Sequence, residues 1–427
     1  MGKFIYILYT KILNLIFWLG RYFKIDILYF FKNTLFLTLQ KLVNIITSLI
    51  LVYVLGKYTS PIFFGQYNYV IAIINFLVFF SLPGVNNALI YSVAQNYDLS
   101  YDKAFQVKSS FSILGSIVIL FVALYYLINQ HQFDLFLSLL LIAPLFPLLH
   151  CQQLFNDFLV AKKKFKLLSV FNILISIITT ILVVSAIFLV KLLPFILFIQ
   201  FLSTTFLSFL FFLKTKKFIK NKRVDANLYP YGFFLTINNF LPFINYYLGP
   251  IILGLLLPIK ELAIYSAASR FTMAIDKNIF YKPLTAKLAQ QTQKLHLQTL
   301  KIHWWKLIIL GFLFFFILWT SLPVLIHLFF SDFYTESIKY ARLLSISIVP
   351  IPLSWVLYDI LVYQKRRYLL TLLMNISTIV AIILQLLLIP LYGINGLIFS
   401  IIFSRYSILI LTMLMLIKRL KIQTNHN

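Results

Sequence analysis

Charged residues, and acidic ones above all, are scarce in this sequence. Of its 427 residues only 11% are Asp, Glu, Lys or Arg, and only 11 are acidic, whereas a soluble globular domain carries about 25% charged residues. Hydrophobic residues make up 61% of the chain, and the mean hydropathy is +0.94. The composition therefore excludes a soluble enzyme and predicts a polytopic membrane protein.

Cysteine is almost absent, and no motif for a cofactor replaces it. The single Cys151 excludes an intramolecular disulfide and a cysteine-based metal site. The six histidines are not clustered at ligand spacing. A GxxxxGK[ST] phosphate loop is missing as well, so we expect this chain not to hydrolyse ATP. The sequence predicts no cofactor, no metal and no catalytic residue.

Long apolar runs fill most of the chain. A helix needs about 20 apolar residues to cross a bilayer, and a window of that length predicts twelve spans. The division of the fifth span from the sixth depends on Lys191 and Pro194. The predicted spans lie near residues 33–55, 67–90, 109–128, 135–156, 168–190, 192–213, 231–256, 262–283, 307–328, 338–361, 368–389 and 394–417.

The formal net charge of +26 is distributed unevenly between the two sides of the membrane. The side that holds both termini collects 27 of the 37 Lys and Arg residues, among them Lys108 and the run at 214–223. The loops of the opposite side contain only Lys57, Lys191 and Lys260. Since cytoplasmic loops are enriched in Lys and Arg, both termini are predicted to be cytoplasmic. Membrane topology thus explains the charge, and we expect no nucleic-acid partner.

The first 32 residues are the least regular part of the chain. Basic residues recur in them every 3 to 10 positions and interrupt any apolar core. This pattern favours an interfacial segment on the cytoplasmic leaflet, with an inserted hydrophobic hairpin as the alternative.

An internal repeat relates the two halves of the chain. FNDFLVAKKKFKLLSV at 155–170 and LYDILVYQKRRYLLTL at 357–372 are identical at six of sixteen positions, at an offset of 202 residues. A weaker similarity relates PIFFGQY at 61–67 to PIKELAIY at 258–265. The repeat unit contains about six spans, an even number, so both copies insert in the same orientation. Two bundles related by a pseudo-two-fold axis along the membrane normal and enclosing a central cavity are the expected architecture, which is typical of transporters.

The repeat and the loop charges together predict the domain organisation of an all-α polytopic membrane protein. We expect an interfacial N-terminal segment at 1–32, six-helix bundles at 33–213 and 230–417, a basic cytoplasmic linker at 214–229 and a cytoplasmic tail at 418–427.

When histidines and residues close to the span ends are left out, five charged residues fall inside the predicted spans. Each costs roughly 2.5–3.5 kcal/mol at the centre of a membrane helix, so such residues usually face a cavity. Arg270 and Lys277 are seven residues apart and project from one helix face, although Lys277 could instead extend to the cytoplasmic interface. With Lys41 and Arg405 they make four cations against one anion, Asp276. This excess favours an anionic cargo such as a phosphate or diphosphate, with Asp276 as a candidate coupling-ion site.

Two further predictions concern helix ends and bends. Pro242, Gly249 and Pro250 in the seventh span predict a bent helix that could move as a gate, with a static kink as the alternative. Asp157 and Asp359 lie at inner helix ends beside lysines and are expected to form interfacial ion pairs.

Four segments resemble recurring stretches of one protein family. They are LGKYTSPIFFGQY at 55–67, FNDFLVAKKKFK at 155–166 with its copy at 357–368, AIYSAASRF at 263–271 and PLYGINGLIFS at 390–400. They are similar to segments of the O-antigen type flippases, the polysaccharide-unit exporters of the multidrug/oligosaccharidyl-lipid/polysaccharide superfamily. The resemblance covers nearly the whole chain.

What the resemblance implies is a pair of six-helix bundles in the bacterial inner membrane. Such a protein carries undecaprenyl-diphosphate-linked oligosaccharide from the cytoplasmic to the outer leaflet, among membrane lipids and other polysaccharide-assembly proteins. Arg270 falls where such proteins carry a basic residue after YSAA. Many relatives have an acidic residue in the seventh span before an ILG segment, but here YYLGPIILG places Gly249 and Pro250 there. This departure weakens the expectation of a cation-coupled cycle that uses that carboxylate.

Two alternatives remain open on the sequence alone. A multidrug and toxin extrusion antiporter would share the span count and the repeat, but a cationic cargo fits poorly with the excess of cations in the spans. A membrane polymerase acting on lipid-linked sugars usually requires a sizeable outer loop, and here no outer loop exceeds about a dozen residues. A flippase for lipid II is close in kind, although it commonly has additional spans.

Overall fold

The computed structural model describes the backbone of residues 27–130, 132–272, 293–363 and 367–424. Within these ranges the regular elements are all helical, and none is a β-strand. The first 26 residues of the predicted interfacial segment lie outside them. In chain order the helices are α1 Ile27–Tyr58, α2 Pro61–Leu77, α3 Gly84–Ala94, α4 Ser100–Ile128, α5 Phe133–Ile142, α6 Phe146–Gln152, α7 Leu154–Ala161, α8 Phe165–Leu189, α9 Leu193–Lys216, α10 Leu228–Asn238, α11 Phe240–Leu256, α12 Ile259–Thr272, α13 Gln293–Phe329, α14 Thr335–Ser345, α15 Ile351–Tyr363, α16 Arg367–Tyr392 and α17 Ile394–Thr424.

The helices confirm an all-α polytopic membrane protein. Among the described residues, nine helical segments are long and apolar enough to cross a membrane, and two bent pairs raise the number to as many as eleven. The bent pairs are α5 with α6–α7, at 51°, and α10 with α11, at 50°. Helix α12 covers the first part of the predicted eighth span, 262–283, and the rest of that span lies outside the described residues. Twelve spans are consistent with this count.

Local sequence signals explain where several helices begin and end. Ser60 caps α2 by accepting a hydrogen bond from the Phe63 N–H at 3.2 Å, and Pro61 occupies the first turn, where no N–H is needed. Lys191 has φ +55° in the short turn between α8 and α9, and Pro194 lies at the start of α9. The predicted division of the fifth and sixth spans at Lys191 is confirmed.

The chain forms two compact units that interleave along the sequence. The first contains the residues up to Leu51 together with Phe80–Phe121 and Leu140–Leu235, and the second contains Val52–Phe79, Val122–Leu139 and the residues from Thr236 onward. The predicted bundles at 33–213 and 230–417 remain a prediction.

An aromatic core holds the first unit together. The rings of Phe171 and Phe211 stack with centroids 4.0 Å apart, and Tyr101 stacks on Phe158 at 4.3 Å. The Tyr101 hydroxyl forms a 2.8 Å hydrogen bond with the Thr215 hydroxyl, so this buried polar group is satisfied. Helices α4, α7, α8 and α9 are thereby fixed to one another.

The basic linker is tied to the first unit by two carboxylates. The fully buried Asp98 carboxylate accepts hydrogen bonds from Lys162 Nζ at 2.6 Å and from the Lys220 N–H at 2.8 Å. The Asp225 carboxylate accepts one from the Ser92 hydroxyl at 2.7 Å. We call these five residues the linker clasp. Because of the clasp, residues 220–225 have a defined path although they form no helix.

In the second unit, α2 lies directly against α12. A side chain at Gly65 would collide with the Ile259 carbonyl oxygen, and its Cβ would lie 3.4 Å from the Ala263 Cβ. Gly65 and Ile259 belong to the similar segments at 61–67 and 258–265, so these two related segments pack on each other at a position that only glycine fits.

The structure places Lys108 inside a helix and not in a cytoplasmic loop, where the sequence analysis had counted it. Helix α4 already begins at Ser100, and the Lys108 side chain is only 2% exposed. Lys108 Nζ donates a 2.6 Å hydrogen bond to Asn86 Oδ1. The ion pair expected for Asp157 does not form with any described residue, and Lys108 is an electrostatic neighbour of its carboxylate. The Asp359 side chain lies outside the described residues.

Candidate functional site

A polar cavity lies inside the second unit, among α11, α12, α16 and α17. It has a volume of about 230 Å³ and is partly open to its surroundings. This volume is smaller than the range of about 300–1,000 Å³ that is typical of sites for drug-sized ligands. Among the described residues that line it, none is acidic and Arg405 is the one basic residue. Its polar lining includes Asn245, Tyr246, Gln385, Ser400, Ser404 and Arg405.

Arg405 brings a positive charge to this cavity from α17. Its Nη1 lies 3.5 Å from the Ser347 carbonyl oxygen, which is at the long limit of a hydrogen bond. No described acidic residue pairs with Arg405, and its electrostatic neighbours are the phenols of Tyr265 and Tyr246. A guanidinium has five N–H donors, and most of those of Arg405 have no acceptor among the described residues.

Arg270 also lies near Tyr246, but it is not among the described residues that line the cavity. It is in the last turn of α12, and its Nε is buried without a hydrogen-bond acceptor among the described residues. Tyr67 and Tyr246 are its electrostatic neighbours. Since Tyr246 is also a neighbour of Arg405, one phenol connects the surroundings of both arginines.

A pair of amides forms another part of the cavity wall. Gln385 Nε2 lies 3.0 Å from Asn245 Oδ1 and 3.4 Å from the Asn245 carbonyl oxygen. Gln385 Oε1 is buried and has no donor among the described residues. The sequence analysis missed Gln385, and the available signal was a single glutamine in the apolar run AIILQLLLIP of α16.

The residues predicted to bend the seventh span are separated by the structure. The 50° bend lies at Asn239, between α10 and α11. Pro242 is in the first turn of α11, whereas Gly249 and Pro250 are farther along this helix and line the cavity. Pro250 lacks the N–H that would bind the Tyr246 carbonyl. A bent helix is therefore present, and its role as a gate remains a prediction.

The other predicted site residues are dispersed. Lys41 is partly exposed on α1 in the first unit and does not line the cavity. Asp276 and Lys277 lie outside the described residues. Of the four predicted cations, the structure places Arg405 in the cavity wall, together with Gly249 and Pro250. Within the described ranges no group of three His, Cys, Asp or Glu residues could hold a metal ion.

The fold is shared with solved transporters. A multidrug resistance MATE family transporter of the MOP superfamily, in an inward-facing conformation, matches with a TM-score of 0.64 and 13% identity over 90% of this chain and 95% of that one. The lipid II flippase MurJ, in an inward closed conformation, matches with a TM-score of 0.59 and 15% identity over 90% and 87%. A MOP superfamily transporter from Pyrococcus furiosus matches with a TM-score of 0.58 and 13% identity over 92% of this chain and 94% of that one.

Sequence comparison gives the family. A search of the curated proteins finds no match. A sequence model of a family described as polysaccharide biosynthesis protein matches residues 30–286, which is more than half of the chain. The chain belongs to this polysaccharide biosynthesis protein family, and it has the fold of the MOP-superfamily transporters.

Proposed function

We propose that this chain is a flippase for undecaprenyl-diphosphate-linked oligosaccharide repeat units. By alternating access it moves them from the cytoplasmic to the outer leaflet of the bacterial inner membrane, for the assembly of O-antigen, capsule or exopolysaccharide. The observation that carries the proposal is Arg405, a guanidinium in a cavity wall with no acidic partner among the described residues. Guanidinium groups bind phosphate oxygens through paired N–H donors.

The remaining intramembrane charges fit the same cargo. Arg270, Lys41 and Lys277 are proposed to contact the diphosphate at other stages of its passage, and Asp276 is the candidate coupling-ion site. A diphosphate head group carries a charge of about −2, and moving it outward from a negative interior releases roughly 2.3 kcal/mol per charge per 100 mV. Membrane potential could therefore drive export without ATP.

The setting of the flippase follows from the same reasoning. Both termini are proposed to be cytoplasmic, since that side collects most of the basic residues. The partners are the lipid-linked oligosaccharide, the surrounding membrane lipids and other polysaccharide-assembly proteins.

A drug antiporter is the second candidate, because a multidrug resistance transporter has the same fold. A cavity that selects organic cations would need carboxylates to neutralise them. Here the described residues that line the cavity contain an arginine and no Asp or Glu, which favours the anionic cargo.

The test is the replacement of Arg405 in a strain that depends on this chain for its surface glycan. Arg405→Gln should abolish surface glycan, while Arg405→Lys should retain part of it because the charge is kept and the paired donors are lost. Arg342→Gln is the matched control: Arg342 is in α14 of the same unit, over the Trp319 ring at 5.2 Å, and does not line the cavity.

Protein levels in the membrane are measured by immunoblot for all three variants. Normal glycan in the Arg405→Gln strain, or an equal loss in the Arg342→Gln strain at full protein level, would contradict the proposal.

A further inference from the structure

Among the described residues, the amino group of the Gln385 amide has hydrogen-bond partners and its oxygen has none. The Gln385 amino group faces two acceptors of Asn245, the side-chain oxygen at 3.0 Å and the carbonyl oxygen at 3.4 Å. The amide oxygen Oε1 is then directed away from Asn245. It is buried without a donor among the described residues, the side chain is only 3% exposed, and Gln385 lines the cavity that Arg405 also lines.

A buried acceptor without a donor requires a partner. Leaving such an oxygen unpaired destabilises a protein, and native structures rarely do so without a reason. An ionised phosphate cannot be this partner, because its oxygens are acceptors too. The ligand must present an O–H or N–H group to Gln385 and an anionic group to Arg405.

Sugar phosphates combine these two properties. We propose that Gln385 reads the sugar unit attached to the diphosphate, its Oε1 accepting a hydrogen bond from a hydroxyl or acetamido N–H of that sugar, while Arg405 binds the phosphate. The inference rests on the proposed function and extends it from the charge of the cargo to its first sugar. Asn245 is a positioning residue, since it fixes which end of the Gln385 amide faces the cavity.

We expect the site to select a ligand by the hydrogen-bond donors that the ligand presents rather than by its size. Ser400, which also lines the cavity, donates its hydroxyl to the Gly396 carbonyl at 2.8 Å, so its hydrogen is already used within α17. Gln385 Oε1, by contrast, is a buried acceptor in the lining with no donor among the described residues. A site that hydrogen-bonds a substrate group discriminates strongly against an analogue that lacks it.

Binding to the purified full chain in lipid nanodiscs tests the inference. The two probes are a short-chain polyprenyl diphosphate and the same molecule carrying one N-acetylglucosamine. The unaltered chain should bind the sugar-bearing probe about tenfold or more tightly than the bare one, the discrimination expected for one buried hydrogen bond. Gln385→Met should bring this ratio close to one, because the sugar-bearing probe loses about tenfold more affinity than the bare probe.

Two further variants separate recognition from damage to the fold. Gln385→Glu keeps an acceptor toward the cavity but replaces the donor to Asn245 with a second acceptor. It should weaken the binding of both probes and still favour the sugar-bearing one. Thr378→Val is the matched control on the same helix, since the Thr378 hydroxyl donates to the Met374 carbonyl of its own helix and Thr378 is not among the described lining residues. It should change neither affinity.

The outcomes distinguish this inference from the function on which it rests. If the unaltered chain binds both probes equally and Gln385→Met changes nothing, the inference is wrong and the flippase proposal stands. If Gln385→Met weakens both probes alike, Gln385 supports the fold rather than reads the sugar, which also overturns the inference. If the unaltered chain binds neither probe, the proposed function itself is overturned.

Discussion

Arg405 and Lys108 show at the residue scale that two cations inside membrane helices can have different roles. Lys108 is 2% exposed and donates a 2.6 Å hydrogen bond to the Asn86 side chain, with Asp157 as an electrostatic neighbour. Among the described residues, Arg405 makes one long hydrogen-bond contact, to a backbone carbonyl, and it lines a cavity. We therefore propose that Lys108 stabilises the first unit and that Arg405 binds the cargo.

This assignment predicts a coupled effect on stability. Asn86→Leu should lower the stability of the folded chain by about 1–3 kcal/mol, because it removes the acceptor of a buried amine. The double variant Asn86→Leu/Lys108→Met should recover most of the loss, since both polar partners are then gone. Thermal unfolding in detergent measures both. If the double variant is less stable than Asn86→Leu alone, the prediction is wrong and Lys108 is stabilised mainly by another partner.

The sequence predicted the charged part of the site better than its uncharged part. An arginine in an apolar run is costly enough to attract notice, so Arg405 could be found from the sequence. Gln385 could not, because an amide in a membrane helix is often satisfied by a neighbouring helix. Whether its oxygen is free depends on Asn245, which is 140 residues away in the chain.

The bend in the seventh span is caused by a proline that follows it by about one helical turn. Pro242 has no N–H to donate to the Asn238 carbonyl, so α10 cannot continue into α11, and it ends at Asn238. The prolines predicted a bend but not its position, because a proline disrupts the turn that precedes it.

Replacing this proline should straighten the helix pair. Pro242→Ala should lengthen the distance between spin labels at Phe234 and Leu255, two exposed positions on α10 and α11, in a Cys151→Ala background. If the bend serves as a gate, the same variant should slow the appearance of surface glycan at unchanged protein level. Pro250→Ala is the control, since Pro250 lies within α11 and away from the bend. An equal distance change in both variants would show that Asn239 is not the flexible point.

If the linker clasp holds the linker in place, breaking it should expose the linker to proteolysis. Asp98→Asn removes the charge that holds Lys162 at 2.6 Å in a buried pair, and breaking such a pair costs about 3–5 kcal/mol. Trypsin should then cleave at the basic residues of 214–223 faster than in the unaltered chain.

The matched control for the clasp is Asp102→Asn. Asp102 pairs with Lys216 at 2.8 Å, but their side chains are 33% and 41% exposed, and exposed pairs contribute about 0–1 kcal/mol. Cleavage should stay near the unaltered rate. Equal cleavage in both variants would mean that the Asp98 pair does not hold the linker.

For the whole molecule, composition and loop charge were sufficient to predict the fold class. An apolar chain with evenly spaced long runs has few alternatives to a helix bundle in a membrane. This explains how solved transporters only 13% and 15% identical to the chain share its fold with TM-scores of 0.64 and 0.59. The details that depend on three-dimensional packing, such as the burial of Lys108 and the path of the linker, could not be read from hydropathy.

The account depends on an anionic lipid head group passing through a cavity lined by Arg405. The most direct measurement is the flipping of a fluorescent polyprenyl-diphosphate sugar by the purified chain in proteoliposomes, followed by quenching from one side. We expect movement by the unaltered chain, faster when the membrane potential draws the anion across, and none by Arg405→Gln. Equal rates for the two chains, or movement of a cationic dye in place of the diphosphate, would contradict the account.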